Sequence, residues 1–219
     1  MTPSVRKYGR FLLLPVNDAK EALCVWPSGA HDVQEAKNLS SFLKKLSCKY
    51  LIIIDGEEEI SSSESSLRRL LKPFENKRTG MIYSDFILHD GNNLIKHPLI
   101  DYQPGSIRDD FKFGHLLLLS CEAVKSVLQK YGLPPSDTDA AFYDLRLKIS
   151  TDHKIVRVPE ILYTVSTEKQ KKIKKSGRQT EAHFAYVAKE NLIRQKKLEN
   201  IATDHLKRMG YIYLHVQKA

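Results

Sequence analysis

Nowhere does the chain hold the ~20 consecutive apolar residues that a membrane-spanning helix requires; its apolar runs, such as "FLLLPV" and "LLLLSC", are strand-length. Cysteine is scarce. Cys24, Cys48 and Cys121 are far apart, odd in number and without CxxC spacing, which supports neither a zinc site nor a disulfide framework and predicts three reduced thiols. The opening "MTPSVRKYGR" lacks the apolar core of about 7–15 residues that marks a secretory signal. A cytoplasmic protein is therefore expected, with peripheral contact between a basic surface and the inner membrane left open. The eight histidines show no HxH or HxxxH spacing that would point to a metal, although His89 and His97 stand where they could touch a substrate. Acids are in deficit, 26 against 35 lysines and arginines, and the net charge of +9 calls for an anionic partner without naming it. Nucleic acid is not expected: aromatics are not interleaved with the basic residues as stacking platforms need, and no recognition motif is present.

What is present suits a soluble α/β domain. The 219 residues are 42% hydrophobic and 28% charged, enough to bury a core. "RFLLLPVND" (10–18) reads as a buried strand stopped by Pro15. "HDVQEAKNLSSFLKKLS" reads as a helix opened by the Asp32–Glu35 capping pattern. It leads to "KYLIIID", apolar on both faces and so central in a mainly parallel sheet. "LRRLLKPF" is a short helix, "GMIYSDFILHDGNN" a strand closed by a turn, and "KFGHLLLLS" another strand. Ser120 caps a helix that Gly132 ends, "DAAFYDLRLKIS" is a further amphipathic helix, and "KIVRVPEILYTV" is a strand pair broken at Pro159. Three stretches differ in character: a domain over 1–168, a basic mobile loop over 169–180, and a C-terminal helical extension over 181–219 packing on the same domain.

The segment "YLIIIDGEEEI" (50–60) carries the chemistry. Side chains alternate along a strand, so Asp55 and Glu57 can point the same way, about 7 Å apart, with Gly56 between them. At the carboxyl end of a strand, where open α/β sheets bind ligands, such a pair can share a hard cation with a diphosphate. The plainer alternative is an acidic turn facing water.

Taken in order, "FLLLPVND", "YLIIIDGEEEI", "MIYSDFILHD", "YDLRLKIS" and "VPEILYTV" resemble the family-2 glycosyltransferases of the GT-A fold, and the tail is most similar to a subgroup typical of Bacteroidetes. The resemblance spans about residues 10–213. It implies a Rossmann-like, mixed but mainly parallel sheet flanked by helices, and metal-dependent, inverting transfer of a sugar from a UDP- or GDP-sugar donor to a glycan or lipid-linked acceptor. Mn²⁺ or Mg²⁺ would be held by Asp55 and Glu57, matching the family's Asp-x-Asp signature with Glu in the last place. Pro15 and Asn17 match the turn after the first strand, and Lys37 and Asn38 would join them on the nucleotide side. Lys175 and Arg178, in the run that begins at Lys169, would neutralise the diphosphate when the loop closes; a solvated charge run is the alternative.

Two departures stand out. The stretch from Asn17 to Asp55 is much shorter than in the family, so the nucleotide pocket is shortened or rebuilt. Where inverting members carry the Glu-Asp pair that supplies the general base, this chain has Ala141 and Phe142. The acceptor proton then needs another carboxylate. Asp110 is preferred, with Asp109 and Asp139 as alternatives; an Arg108 pairing with Asp109 or Asp110 across the loop weighs equally. Asp144 reads as structural or salt-bridged; Arg146 could face the site, a helix-surface arginine being the commoner case. Loss of the base also keeps open a catalytically degenerate domain that binds or assembles within a polysaccharide machine. Oligomeric state is not legible.

Overall fold

The computed structural model describes residues 23–28, 48–55, 59–91, 93–135, 138–166 and 189–211. Expectations that fall on Pro15, Asn17, Lys37, Asn38, Glu57, Lys175 and Arg178, on the strand over 10–18 and on the helix after Asp32, lie outside these residues.

Among the described residues, seven strands form one sheet: β1 (Leu23–Ser28), β2 (Tyr50–Asp55), β3 (Glu59–Ser61), β4 (Thr79–Asp90), β5 (Asn93–His97), β6 (Leu116–Ser120) and β7 (Lys154–Ser166). Their order is β1-β2-β6-β4-β7-β3, with β5 paired to β4 as a hairpin through Gly91. β1, β2, β4 and β7 run one way; β6, inserted between β2 and β4, runs against both. The sheet is mixed, as expected, but it is not mainly parallel, since four of its six described pairings are antiparallel. Among the described strands only the β1–β2 and β4–β7 pairs are parallel, because β6 enters the sheet from a loop at the carboxyl edge instead of a crossover helix.

The described residues also form four α-helices: α1 (Glu64–Leu71), continued by a 3₁₀ turn over Lys72–Glu75, then α2 (Cys121–Tyr131), α3 (Thr138–Asp152) and α4 (Lys189–Arg208). Side-chain alternation in β2 divides the core. Leu51 and Ile53 face a cluster with Val124 and Val127 of α2 and Ala141, Leu145 and Ile149 of α3. Ile52 faces the other layer, with Ile60, Leu70, Leu118 and Val165. Both faces of β2 are covered, which is why its sequence is an unbroken apolar run. Ser63 caps α1 and Ser120 caps α2, each hydroxyl accepting a backbone N–H of the first turn. α4 lies outside α3, where Leu198, Ile201 and Ala202 meet Ala140, Tyr143 and Leu147.

β7 is one strand where the sequence suggests a broken pair. Pro159, which lacks the N–H a ladder needs, is absorbed in an irregularity: Ser84 pairs with Val158 but Asp85 with Ile161, and Phe86 with Tyr163. The extra residues bend β4 and β7, and that bend is required. From Asp55 to Glu59 the chain reaches at most about 14 Å, yet four flat strand spacings from β2 to β3 would span about 19 Å. The sheet has to curl for the acidic segment to pass from β2 to β3.

Candidate functional site

The carboxyl end of β2 is where the sheet gathers chemistry. Asp55 is the last residue of β2, opposite Ser28 of β1, and its neighbour Ile54 lies opposite Leu116, the first residue of β6. The segment 98–115, which carries Asp109 and Asp110, therefore delivers its end beside Asp55. Gly114 makes the last corner at φ 79°. A Cβ there would collide with the Tyr163 hydroxyl, which accepts the His115 N–H at 2.9 Å.

That segment has no regular structure, and its carbonyls are held by buried side chains instead. The Tyr83 hydroxyl donates to the Ile100 carbonyl at 2.6 Å, Tyr102 to Ser106 at 2.9 Å and Tyr143 to Ile107 at 2.5 Å, and the Arg146 guanidinium donates to Arg108 at 2.7 Å. Burial pushes the Tyr83 phenol well above its ordinary range and raises that of Tyr143, so both remain donors. Asp109 and Asp110 thus follow a backbone pinned at three consecutive carbonyls.

Of the two readings open for Arg146, the helix-surface one is excluded. Instead of lying on a helix surface it is 2% exposed, and the rings of Tyr143, Phe113 and Tyr102 stand 5.0, 5.6 and 5.7 Å from its guanidinium carbon. Aromatic faces attract a cation in such a cage, which offsets part of its desolvation. Burial nonetheless pulls its proton affinity below the usual arginine range. Asp144 is a structural acid. Its carboxylate meets Lys148 at 2.5 Å with both side chains buried, and Lys148 also donates to the Gly132 carbonyl behind α2. Desolvation raises the Asp144 carboxyl above its ordinary range despite that partner. α3 is enclosed on all sides, not amphipathic, because the sheet takes one flank and α4 the other.

The candidate bases separate. Asp110 is exposed and chelated by Arg108, Nε to Oδ1 at 3.0 Å and the second nitrogen to Oδ2 at 3.1 Å; this pairing holds its carboxyl below the usual range. Asp109 instead lines an open pocket of ≈ 590 Å³ between this loop and α4, with Ile107, Tyr143, Arg194 and Glu199 among its walls. Asp139 lies in the first turn of α3, one turn ahead of Tyr143. His97 stacks on Phe86 at 4.8 Å.

One ionic centre at this end went unread in the sequence. Asp85, 7% exposed, receives Arg157 through two hydrogen bonds of 2.9 Å and the Leu99 N–H at 2.9 Å, while Arg157 also reaches Asp101. Burial pushes the Asp85 carboxyl up, but these bonds and the guanidinium charge outweigh it and leave it below the ordinary value. The available signal was one acid inside the apolar run "MIYSDFIL" and one arginine inside "KIVRV", since a carboxylate in a buried strand demands a cation on a neighbour.

These features define a mixed α/β protein, compatible with a Rossmann-like arrangement. Among the described residues no cluster of three or more His, Cys, Asp or Glu is poised around a metal position, and no helix is long and apolar enough to cross a membrane. No protein-family model matches the chain, and no curated protein matches it. Among solved structures, S. aureus TarS 1-349 matches with a TM-score of 0.38 at 9% identity, over 83% of this chain and 55% of that one. The chain thus spans about half the length of that structure.

Proposed function

We propose that the protein is a glycosyltransferase using a nucleotide-sugar donor, with Asp55 and Glu57 holding Mn²⁺ or Mg²⁺ on the donor diphosphate. The supporting observation is the convergence of the Asp55 end of β2 with the pinned 98–115 segment, through the Ile54–Leu116 pairing. Carboxylates are fitting ligands for a hard cation; when bound, it would neutralise the diphosphate leaving group. Pro15, Asn17, Lys37 and Asn38 would line the nucleotide side and Lys175 and Arg178 the phosphates, and a glycan or lipid-linked hydroxyl would be the acceptor. For the base, Asp109 is preferred to Asp110, because the Arg108 chelate lowers the proton affinity of Asp110 and occupies both its oxygens.

The experiment is calorimetric titration of UDP and GDP, with and without Mn²⁺, on the wild type and on Asp55→Ala. Metal-dependent binding that the substitution removes supports the reading; no nucleotide binding under any metal condition overturns it. With a donor in hand, Asp109→Asn lowers kcat about 10²–10⁴-fold with little change in the donor KM. A second reading, a domain that binds donor or glycan without turnover, is favoured by the buried Ala141 and half-buried Phe142 where a base is expected. Binding without transfer to any glycan acceptor, and no effect of Asp109→Asn, would select it.

A further inference from the structure

Two of the three cysteines meet. Cys48, just before β2, and Cys121, the first residue of α2, place their sulfurs 2.7 Å apart across 73 residues of sequence. Both are buried in the cluster that joins β2, β6, α2 and α3, Cys48 at 6% and Cys121 at 1% exposure. The approach is set by backbone, since Tyr50 pairs with Ser120 in the β2–β6 ladder and the Cys121 N–H donates to the Lys49 carbonyl at 3.0 Å. A disulfide needs about 2.05 Å between sulfurs, so closure requires a shift of well under 1 Å. Cys24 lies on β1, its backbone opposite Leu51.

We propose that Cys48 and Cys121 are an oxidisable pair that a peroxide converts to an intramolecular disulfide, stapling the start of β2 to the start of α2. Cys48, the more exposed, attacks one peroxide oxygen: the O–O bond breaks, a sulfenic acid forms and one water leaves. The Cys121 sulfur then attacks the Cys48 sulfur, the S–S bond forms, and the sulfenic oxygen departs as a second water. Each sulfur gives up one electron, and the peroxide takes up both. The staple lies at the opposite end of β2 from Asp55, and the inference does not depend on the proposed transferase activity.

The full chain, purified reduced, is treated with about one equivalent of hydrogen peroxide, alkylated and digested without reductant. The expected result is a cross-linked peptide joining Cys48 to Cys121 and a fall from three titratable thiols to one. Closing so long a loop should also raise Tm by roughly 5–15 °C, reversed by dithiothreitol and absent in Cys48→Ser. Cys24→Ser, which leaves the pair intact, must still lose both remaining thiols. The proposal is overturned by a cross-link through Cys24 or to a second chain, or by oxygen added to Cys48 without a link. Three surviving thiols, or a linked protein that fails to melt higher, overturn it as well.

Discussion

At the scale of single residues, α3 buries Asp144, Arg146 and Lys148 at 5%, 2% and 3% exposure, and each charge is tolerated for a different reason. Asp144 and Lys148 neutralise each other one turn apart, and Lys148 also satisfies a carbonyl at the end of α2. Arg146 relies on one carbonyl and three rings. Removing one member of a buried pair strands the other, so Lys148→Met should cost about 3–5 kcal/mol in urea unfolding. The double variant Asp144→Leu, Lys148→Met should recover most of that loss, because an apolar pair of similar volume needs no desolvation. A single substitution as mild as the double one would mean that the carboxylate is solvated. The spacing of Asp144 and Lys148 makes the pair available in the sequence. Its burial is not legible there, since nothing in "YDLRLKIS" says that α4 will close over it.

Among the elements, α4 is docked through a narrow set of contacts that includes a histidine. His205, 1% exposed, faces α3, with Nδ1 at 3.4 Å from the Thr151 hydroxyl. Burial, then the charges of Arg208 and Arg146, pull its pKa down to about 4. The imidazole is thus neutral when folded but takes up a proton more readily when exposed. Its contribution is fully present above the ordinary value of 6.5 and is lost progressively as pH falls towards about 4. The loss reaches up to about 3 kcal/mol, from the usual equivalence of pKa and free energy. Hydrogen exchange read at pH 7 and pH 5 should show α4 amides losing protection before those of β2 and β6, and His205→Leu should flatten that difference. Equal acid sensitivity in the variant would assign the effect to carboxylates instead. That the C-terminal stretch is helical was readable from its pattern, and the helix runs over Lys189–Arg208. The partner face was not, because an amphipathic stripe does not say what it covers.

Over the whole molecule, a net charge of +9 makes attraction to anionic surfaces long-ranged and therefore screenable. Binding to vesicles containing anionic lipid should weaken roughly tenfold or more between about 0.02 and 0.2 M salt in a sedimentation assay. An affinity that ignores salt would point to a built lipid site rather than to diffuse charge. Sequence by itself determined the local grammar. β2 had to be a buried strand because five apolar residues precede Asp55, Ser120 and Gly132 had to bound α2, and Pro159 had to interrupt a ladder. These follow from side-chain pattern and backbone stereochemistry, which act over a few residues. Tertiary structure decided what stands next to what: β6 running backwards between β2 and β4, Cys48 against Cys121, Asp85 against Arg157, and a loop pinned by Tyr143 and Arg146. Such contacts join residues dozens of positions apart. They depend on strand order and on the curl that the β4–β7 irregularity imposes, and a local pattern encodes neither.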